Sequence, residues 1–596
     1  MQRKDGIGYV DGSVDATTQR FDVVLDDDAS IQLDDLLVCR QTLLGSGEAL
    51  SHFGIVVEGL NKIEGAQIAS DTHRIYGTQT MPGQRSRKVT VQILRTDPER
   101  WLPPLPGARV ALARGHDRDL ALFQDRMEEN RLPLGLDHMD QPVCADWSFI
   151  NGEKGAHMSI SGISGVATKT SYALFALYML TESPAGRRLL GPHAHETKAI
   201  VFNVKGQDLL HIDRENAKFA NDERAHDMWR ALGVNNPRPF QSVRFFVPPT
   251  RAVRDGVLAA RVANRRDTEY SIYGWTPLAF VQRGLLQYVF ADAREQNQVS
   301  FLVEHVRAQL VRHAVPSRAT PGAVIIRQAP VHGRGRDFER ASEQLGHAAA
   351  EAVEIDSEVK DFSDLVDVIV NQMDETNPTN WVSSTRISAG TVEAFLRRLI
   401  AMSRRLGHLI NHQAVPVELS HTVNVVDINA LHDDAQRFVV GALLDHIWQE
   451  KQAGGRDRLR FIVLDEMNKY APREGRSPIK EMLVDIAARG RSLGVILVGC
   501  QQNAGRVEGA IVDNAAIKVV GRLDASHADD YRFLSSELRQ RATRFLPGTM
   551  ILDQPVVPAP IPIVFPFPPY ATNPSEDPGG AGATTHGRDP IDQVAP

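Results

Sequence analysis

Cysteine is scarce. The 596 residues hold three, Cys39, Cys144 and Cys500, spaced too widely along the chain for a disulfide framework or a zinc cluster. Two of them sit inside the apolar runs LLVCR and LVGCQ. They read as buried thiols of a reducing compartment, so a cytoplasmic location is expected. Long apolar runs are missing too: none approaches the roughly 20 residues that a membrane-crossing helix needs, and no membrane partner is expected. The opening residues, MQRKDGIGYVDGSVDA, are charged and lead into no apolar stretch, so no secretory signal is expected. Neither charge sign dominates, since 67 Lys and Arg against 74 Asp and Glu leave a net charge of −7. That balance argues against a protein that coats nucleic acid with its whole surface. It leaves open a ring with a locally basic channel. Internal repeats are also missing. At 596 residues the chain is too long for one hydrophobic core, so two to four domains are expected.

The text that is present divides the chain. IGYVDG, FDVVL, SIQLDDLLVCRQ, HFGIVVEGL, RKVTVQIL and ARVALA are short β-rich runs punctuated by Gly, Asp and Pro. They predict a small β-barrel over residues 1–115. HMSIS and AIVFNV, within 116–253, and HTVNVVDI, RFIVLDE, GVILVGC and AAIKVVG, within 416–565, are continuous apolar runs followed by helical sequence. Strands without polar alternation are buried on both faces, which predicts an α/β core with a mostly parallel sheet between helices. Residues 254–415 carry largely helical spacing and read as a helical insertion in that core. Residues 566–596 are rich in Pro and Gly and read as a disordered tail.

Chemistry concentrates in three places. The first is the strand–loop–helix unit HMSIS–GISGVATKTS–YALFALYML. Backbone N–H groups of a loop of small residues can cradle phosphate, with the following helix N-terminus adding its dipole. Gly162, Ser164, Gly165, Val166, Ala167, Thr168, Lys169, Thr170 and Ser171 form the candidate cradle. Lys169 would neutralise β/γ-phosphate oxygens and Thr170 would ligate Mg²⁺. The strict G-x-x-x-x-G-K-[ST] pattern is not met: Thr168 precedes the lysine and the glycines sit one residue early, so the loop is one residue longer. A Ser/Gly loop capping a buried helix would look the same.

The second place is RFIVLDE. Acids at the carboxyl end of a buried strand lie where open α/β sheets bind ligands. Asp465 suits Mg²⁺ ligation and Glu466 the polarisation of an attacking water, although such pairs also serve as turn or cap acids. The third is GVILVGCQQN, where Gln501 could bond both water and γ-phosphate or simply be a solvated loop amide. Upstream, Arg489 and Arg491 could reach a neighbour's phosphates in a ring, or could only complement a helix C-terminus. Arg522 and Lys154 are further candidates for that role. If a ring forms, candidates for DNA contact are Arg334 and Arg336 in VHGRGRDFER, and Lys469, Arg473, Arg476 and Lys480 in KYAPREGRSPIK. Solvated basic loops would carry the same residues. HLINH (His408, His412) lacks the Glu of a zincin helix and a third ligand, and HAHE (His193, His195, Glu196) sits in a Pro/Gly loop, so metal binding is not expected of either.

IGYVDGSVDATTQRFDVVL resembles the opening of the barrel in HerA-type ATPases, and the order barrel, P-loop strand, VFNVKGQD, insertion, VNVVDI, LDE, ARGRSLGVILVGCQQN, VVGRLD resembles bacterial HerA-like members of the HerA–FtsK superfamily. VFNVKGQD stands where the family usually reads D-P-K-G-[DE], with Asn203 and Val204 replacing Asp and Pro. Gln501 falls at the family's sensor Gln and Gln502 where Arg is usual. The resemblance spans about residues 5–565. It implies a RecA-like P-loop core and a homohexamer using ATP and Mg²⁺ to translocate double-stranded DNA. It also implies a partner nuclease or other effector docked on the barrel face, in DNA processing or phage defence. An ATP-binding hexameric scaffold that activates an effector with little motor activity is the alternative. A metabolic kinase would leave barrel and insertion without a role.

Overall fold

The structure, a computed structural model, describes residues 6–43, 45–163, 169–252, 258–291, 296–327, 357–374, 376–377, 380–382 and 387–577. Ser164, Gly165, Val166, Ala167 and Thr168 of the candidate cradle, and the candidate DNA contacts Arg334 and Arg336, lie outside the described residues.

Six antiparallel strands open the chain: β1 Gly8–Val10, β2 Arg20–Leu25, β3 Leu36–Thr42, β4 Ala49–Glu64, β5 Gln84–Asp97 and β6 Arg109–Leu112. They close as a barrel in the order β1–β2–β5–β4–β3–β6, with Gly8 of β1 paired to Val110 of β6. Alternate residues such as Val23, Leu37, Val56, Val91 and Val110 point inward and fill it. Closure removes the free edges that an open sheet of these strands would expose.

The large sheet uses β7 Arg131–Leu136, β8 Pro142–Asp146, β9 Met158–Ser161, β10 Lys198–Asn203 and β11 Val243–Val247. Past the short pair β12 Arg251–Ala252 and β13 Leu258–Ala259, it gains β14 Ser271–Ile272. Beyond the small strands β15 Ala314–Pro316, β16 Val324–Ile326 and β17 Ser357–Val359 come β18 Val423–Asp427, β19 Arg460–Leu464, β20 Val495–Gln501, β21 Ile517–Val520, β22 Thr549–Gln554 and β23 Val557–Val564. The order is β14–β11–β18–β10–β19–β20–β9–β21–β22–β23–β7–β8. From β14 to β21 every pairing is parallel, and from β21 to β8 every pairing is antiparallel. This is the expected α/β architecture: a mostly parallel sheet with an antiparallel edge, behind a closed N-terminal barrel.

The apolar runs explain the layering. In β10, Ala199 and Val201 enter one hydrophobic cluster while Ile200 and Phe202 enter the other, and in β19 Phe461 and Val463 oppose Ile462 and Leu464 in the same way. Both faces of each strand are therefore covered. The helix Lys169–Thr181 after β9 is buried from Tyr172 to Thr181, between the sheet and an aromatic layer in which Tyr172 meets Phe565 at 5.3 Å and Phe175 meets Trp229 at 5.6 Å. A helix apolar all round is stable only in such a setting. The helix Pro478–Leu493 starts with proline after the cap Ser477, whose hydroxyl accepts from the Lys480 N–H at 3.1 Å. It ends at Gly494, whose φ of 72° turns the chain directly into β20.

Two features depart from the sequence expectation. The insertion is not wholly helical: around the helices Gln296–His313, Phe362–Met373 and Ala389–Leu406 it adds β14 to the large sheet and builds the three-stranded sheet β15–β16–β17. Residues 566–577 are not a tail but a strap on the core. Tyr570 is buried against Phe240 at 4.9 Å, and the Asn216 N–H donates to the Pro569 carbonyl at 3.1 Å. Aromatic anchors set among the prolines outweigh the composition of the segment. Among the described residues no helix is long and apolar enough to cross a membrane.

Candidate functional site

Register sets the site. Phe202, Leu464, Gly499 and Ser159 face one another across β10, β19, β20 and β9. The residues that follow these positions (Lys205, Asp465, Gln501 and the loop leading to Lys169) therefore emerge at one carboxyl edge. That edge is where open α/β sheets bind ligands.

Lys169 begins the helix that leaves β9, with only 3% of its surface exposed. Among the described residues its ammonium has no hydrogen-bond partner. Burial pushes its pKa down, against the pull of Asp465 and Glu466 and with the push of Lys205. A buried ammonium without a partner is costly unless a ligand completes it, and phosphoryl oxygens have the required charge. Beside it the Thr170 hydroxyl donates to Asp465 Oδ2 at 2.7 Å. This pair, a hydroxyl and a buried carboxylate from elements 295 positions apart, is the oxygen donor set that Mg²⁺ takes with a nucleotide. The residues present fit a magnesium nucleotide.

Glu466 follows at φ 54°, a left-handed conformation that a non-glycine residue holds only at a cost of about 1–3 kcal/mol. It caps the short helix Met467–Tyr470, and its own N–H donates to Asp465 Oδ1 at 2.8 Å. The two adjacent carboxyls differ in exposure, with Asp465 buried and Glu466 reachable from solvent.

Lys205, which no role assigned from the sequence covers, lies over both acids, 3.0 Å from Glu466 Oε1 and 3.4 Å from Asp465 Oδ2. Its pKa is raised: burial opposes the proton, but Asp465 and Glu466 outweigh it. The available signal was a lysine just past a buried strand, in VFNVKGQD. Below it, Asn203 donates to the buried carboxyl of Asp427 at 2.8 Å, and burial raises the Asp427 pKa to about 6.

The other sequence candidates fall in different places. Gln501 is buried, and its amide donates to Ser159 Oγ at 2.7 Å and Ser161 Oγ at 2.9 Å, tying β20 to β9. It is Gln502 that reaches Glu466, at 3.3 Å. Arg489 pairs with Asp485 at 2.6 Å, and Arg491 donates to the Lys154 carbonyl at 3.0 Å. Both stand near the start of β20, at the edge of the sheet away from Lys169, where with Lys154 they line a separate cavity of about 510 Å³. Within one chain they do not share the cavity of Lys169. The Arg522 carbonyl accepts from the Ile163 N–H at 2.8 Å, holding the start of the candidate loop to the end of β21. Gly162 is buried beside it, and Ser171 lines the same cavity as Lys169. Of the basic loop after β19, Arg473 and Arg476 are exposed. Lys469 is bound to Asp433 at 2.7 Å. Lys480 is buried and paired with Glu508 at 2.6 Å, so its charge is spent inside the chain.

No protein-family model and no curated protein sequence matches the chain. Among solved structures it is similar to VirB4 of Thermoanaerobacter pseudethanolicus, at 15% identity and TM-score 0.40 over 74% of this chain and 97% of that one. It is also similar to the plasmid coupling protein TrwB in complex with the non-hydrolysable GTP analogue GDPNP, at 10% identity and TM-score 0.41 over 76% and 94%. The genome packaging NTPase B204 from Sulfolobus turreted icosahedral virus 2, in complex with ATP-gammaS, matches over 25% and 69% at 13% identity and TM-score 0.20.

Proposed function

We propose that this chain is an ATP hydrolase that assembles into a homohexameric ring and drives double-stranded DNA through it. The observation that carries this reading is the convergence at one sheet edge of a buried Lys169 with no hydrogen-bond partner among the described residues, the Thr170–Asp465 pair and Glu466. Lys169 would bind phosphoryl oxygens, and Thr170 and Asp465 would hold Mg²⁺, which neutralises charge on the phosphates. Glu466 would orient a water and take its proton. Gln502 is within reach to set the direction of that carboxylate. Arg489 and Arg491 line a cavity that does not include their own Lys169, the placement that a role on a neighbouring subunit's site in a ring would require. Exposed Arg473 and Arg476 lie in the loop after the short helix that Glu466 begins, so hydrolysis and a DNA-facing loop would be coupled through one segment. A nuclease or other effector on the barrel face, and work in DNA processing or antiviral defence, belong to the same proposal and rest on the sequence resemblance.

A second reading, an ATP-binding scaffold with slow turnover, is favoured by Lys205, which occupies both acids. Mass measurement with and without ATP and duplex DNA, followed by turnover assays, separates them. The motor requires a ring and DNA-stimulated hydrolysis that Glu466→Ala abolishes. A ring without such hydrolysis establishes the scaffold, and a monomer that hydrolyses ATP overturns both.

A further inference from the structure

The cavity that contains Lys169, Thr170 and Asp465 measures about 580 Å³ and continues well past them. Its far wall is the strap. Phe565, Pro566, Phe567 and Pro568 line it together with the Pro547–Gly548 turn that precedes β22, and Asn573 closes one side. A triphosphate held at Lys169 and Asp465 must direct its terminal phosphate towards Glu466, on the β19–β20 side. The remainder of the nucleotide is then left the opposite end, beyond β21, where β22 starts and β23 finishes. That end combines the apolar residues with Thr572, Asn573 and Glu576 and carries a half-exposed aromatic ring: Phe567 keeps 37% of its surface in contact with solvent although its own carbonyl accepts from Trp229 Nε1 at 2.9 Å.

The strap is held too firmly to be an incidental cover. Glu576 is buried and its carboxylate accepts from the Thr572 N–H at 2.9 Å, the Thr572 hydroxyl at 3.0 Å and the Asn216 amide at 3.1 Å, while Tyr570 is sunk in the aromatic layer. Those anchors hold the half-exposed Phe567 ring in the cavity wall beside Phe565 and the two prolines. Aromatic faces backed by prolines accept any flat heterocycle by stacking, with little hydrogen-bond discrimination.

We propose that Phe565–Asn573 is the nucleoside wall of the site, with Phe567 stacking on the base and Asn573 offering its amide to the base or ribose. This rests on the reading of Lys169 and Asp465 as a magnesium-triphosphate site. It adds that base affinity comes from the C-terminal strap and that the strap discriminates weakly among bases.

The test compares MgATP with magnesium tripolyphosphate, which lacks a nucleoside, by calorimetry on the full chain. Phe567→Ala is expected to weaken MgATP about 5- to 10-fold, the range of one lost aromatic contact, and to leave tripolyphosphate unchanged. Phe567→Trp should restore MgATP affinity, and MgGTP should follow MgATP in every variant. Equal losses for both ligands in Phe567→Ala would mean that the strap only supports the fold and would overturn the proposal. So would unchanged MgATP affinity. If the wild type binds tripolyphosphate as tightly as MgATP, the wall is refuted while the phosphate site stands. If it binds neither, the phosphate site itself is refuted and the wall with it.

Discussion

Lys169→Met should make the nucleotide-free protein more stable while abolishing its response to ATP. Lys169 is 3% exposed and its ammonium lacks a hydrogen-bond partner among the described residues. Leaving a buried donor unsatisfied costs about 1–3 kcal/mol, and more for a charged group, while attraction to Asp465 and Glu466 returns part of that. Methionine keeps the length and apolar volume of the lysine stem without the charge. A net gain of about 1–2 kcal/mol in urea unfolding at neutral pH is expected. The pH dependence has a definite sign. Because the folded pKa of Lys169 lies below its ordinary value of 10.5, the folded state binds fewer protons than the unfolded state as pH climbs towards that value. Wild-type stability therefore rises with pH in that window, and the advantage of the variant shrinks. With MgATP at about a hundred times its Kd the wild type should gain about 2.7 kcal/mol, and Lys169→Met nothing. A variant less stable than wild type without nucleotide, or one that keeps the ATP-dependent gain, would refute the reasoning.

Glu466→Gln should lower turnover by about 10²- to 10⁴-fold while retaining nucleotide affinity, measured by phosphate release and by calorimetry, because it removes a proton acceptor and no phosphate contact. Asp427 has its folded pKa raised by burial to about 6, so stability falls as pH rises from its unfolded value of 3.8 towards 6. Asp427→Asn should accordingly stabilise the fold by about 2 kcal/mol above neutral pH and by almost nothing near pH 4, read from unfolding curves at the two values. Arg541 reaches from the helix Ser536–Ala542 to Asp34 of the barrel at 2.7 Å. Arg541→Ala should cost about 0.5–1 kcal/mol, and limited proteolysis should show faster cleavage between barrel and core.

Much of the fold was legible because buried strands announce themselves. VNVVD, RFIVL and VILVGCQ are continuous apolar runs, each became a central strand, and the acids after RFIVL lie at the carboxyl edge as strand polarity requires. The barrel was readable from its spaced β-rich runs. Other parts depend on neighbours that no local pattern names. Lys205 meets Asp465 and Glu466 only because β10 lies beside β19, a pairing set by topology. Whether Gln501 or Gln502 approaches Glu466 depends on which way the pleat turns at the end of β20, and the two serines of β9 capture the first. The strap was read as a tail because proline content hid Tyr570. Its burial depends on an aromatic layer supplied by Tyr178 and Phe240 from elsewhere in the chain.

Calorimetric titration of ATP-gammaS into the wild-type chain and into Asp465→Asn, each with Mg²⁺ and with a chelator, tests the convergence at the sheet edge most directly. The account requires magnesium-dependent binding to the wild type, weakened at least about tenfold by the chelator or by Asp465→Asn. No binding, or binding indifferent to both magnesium and Asp465, would contradict it.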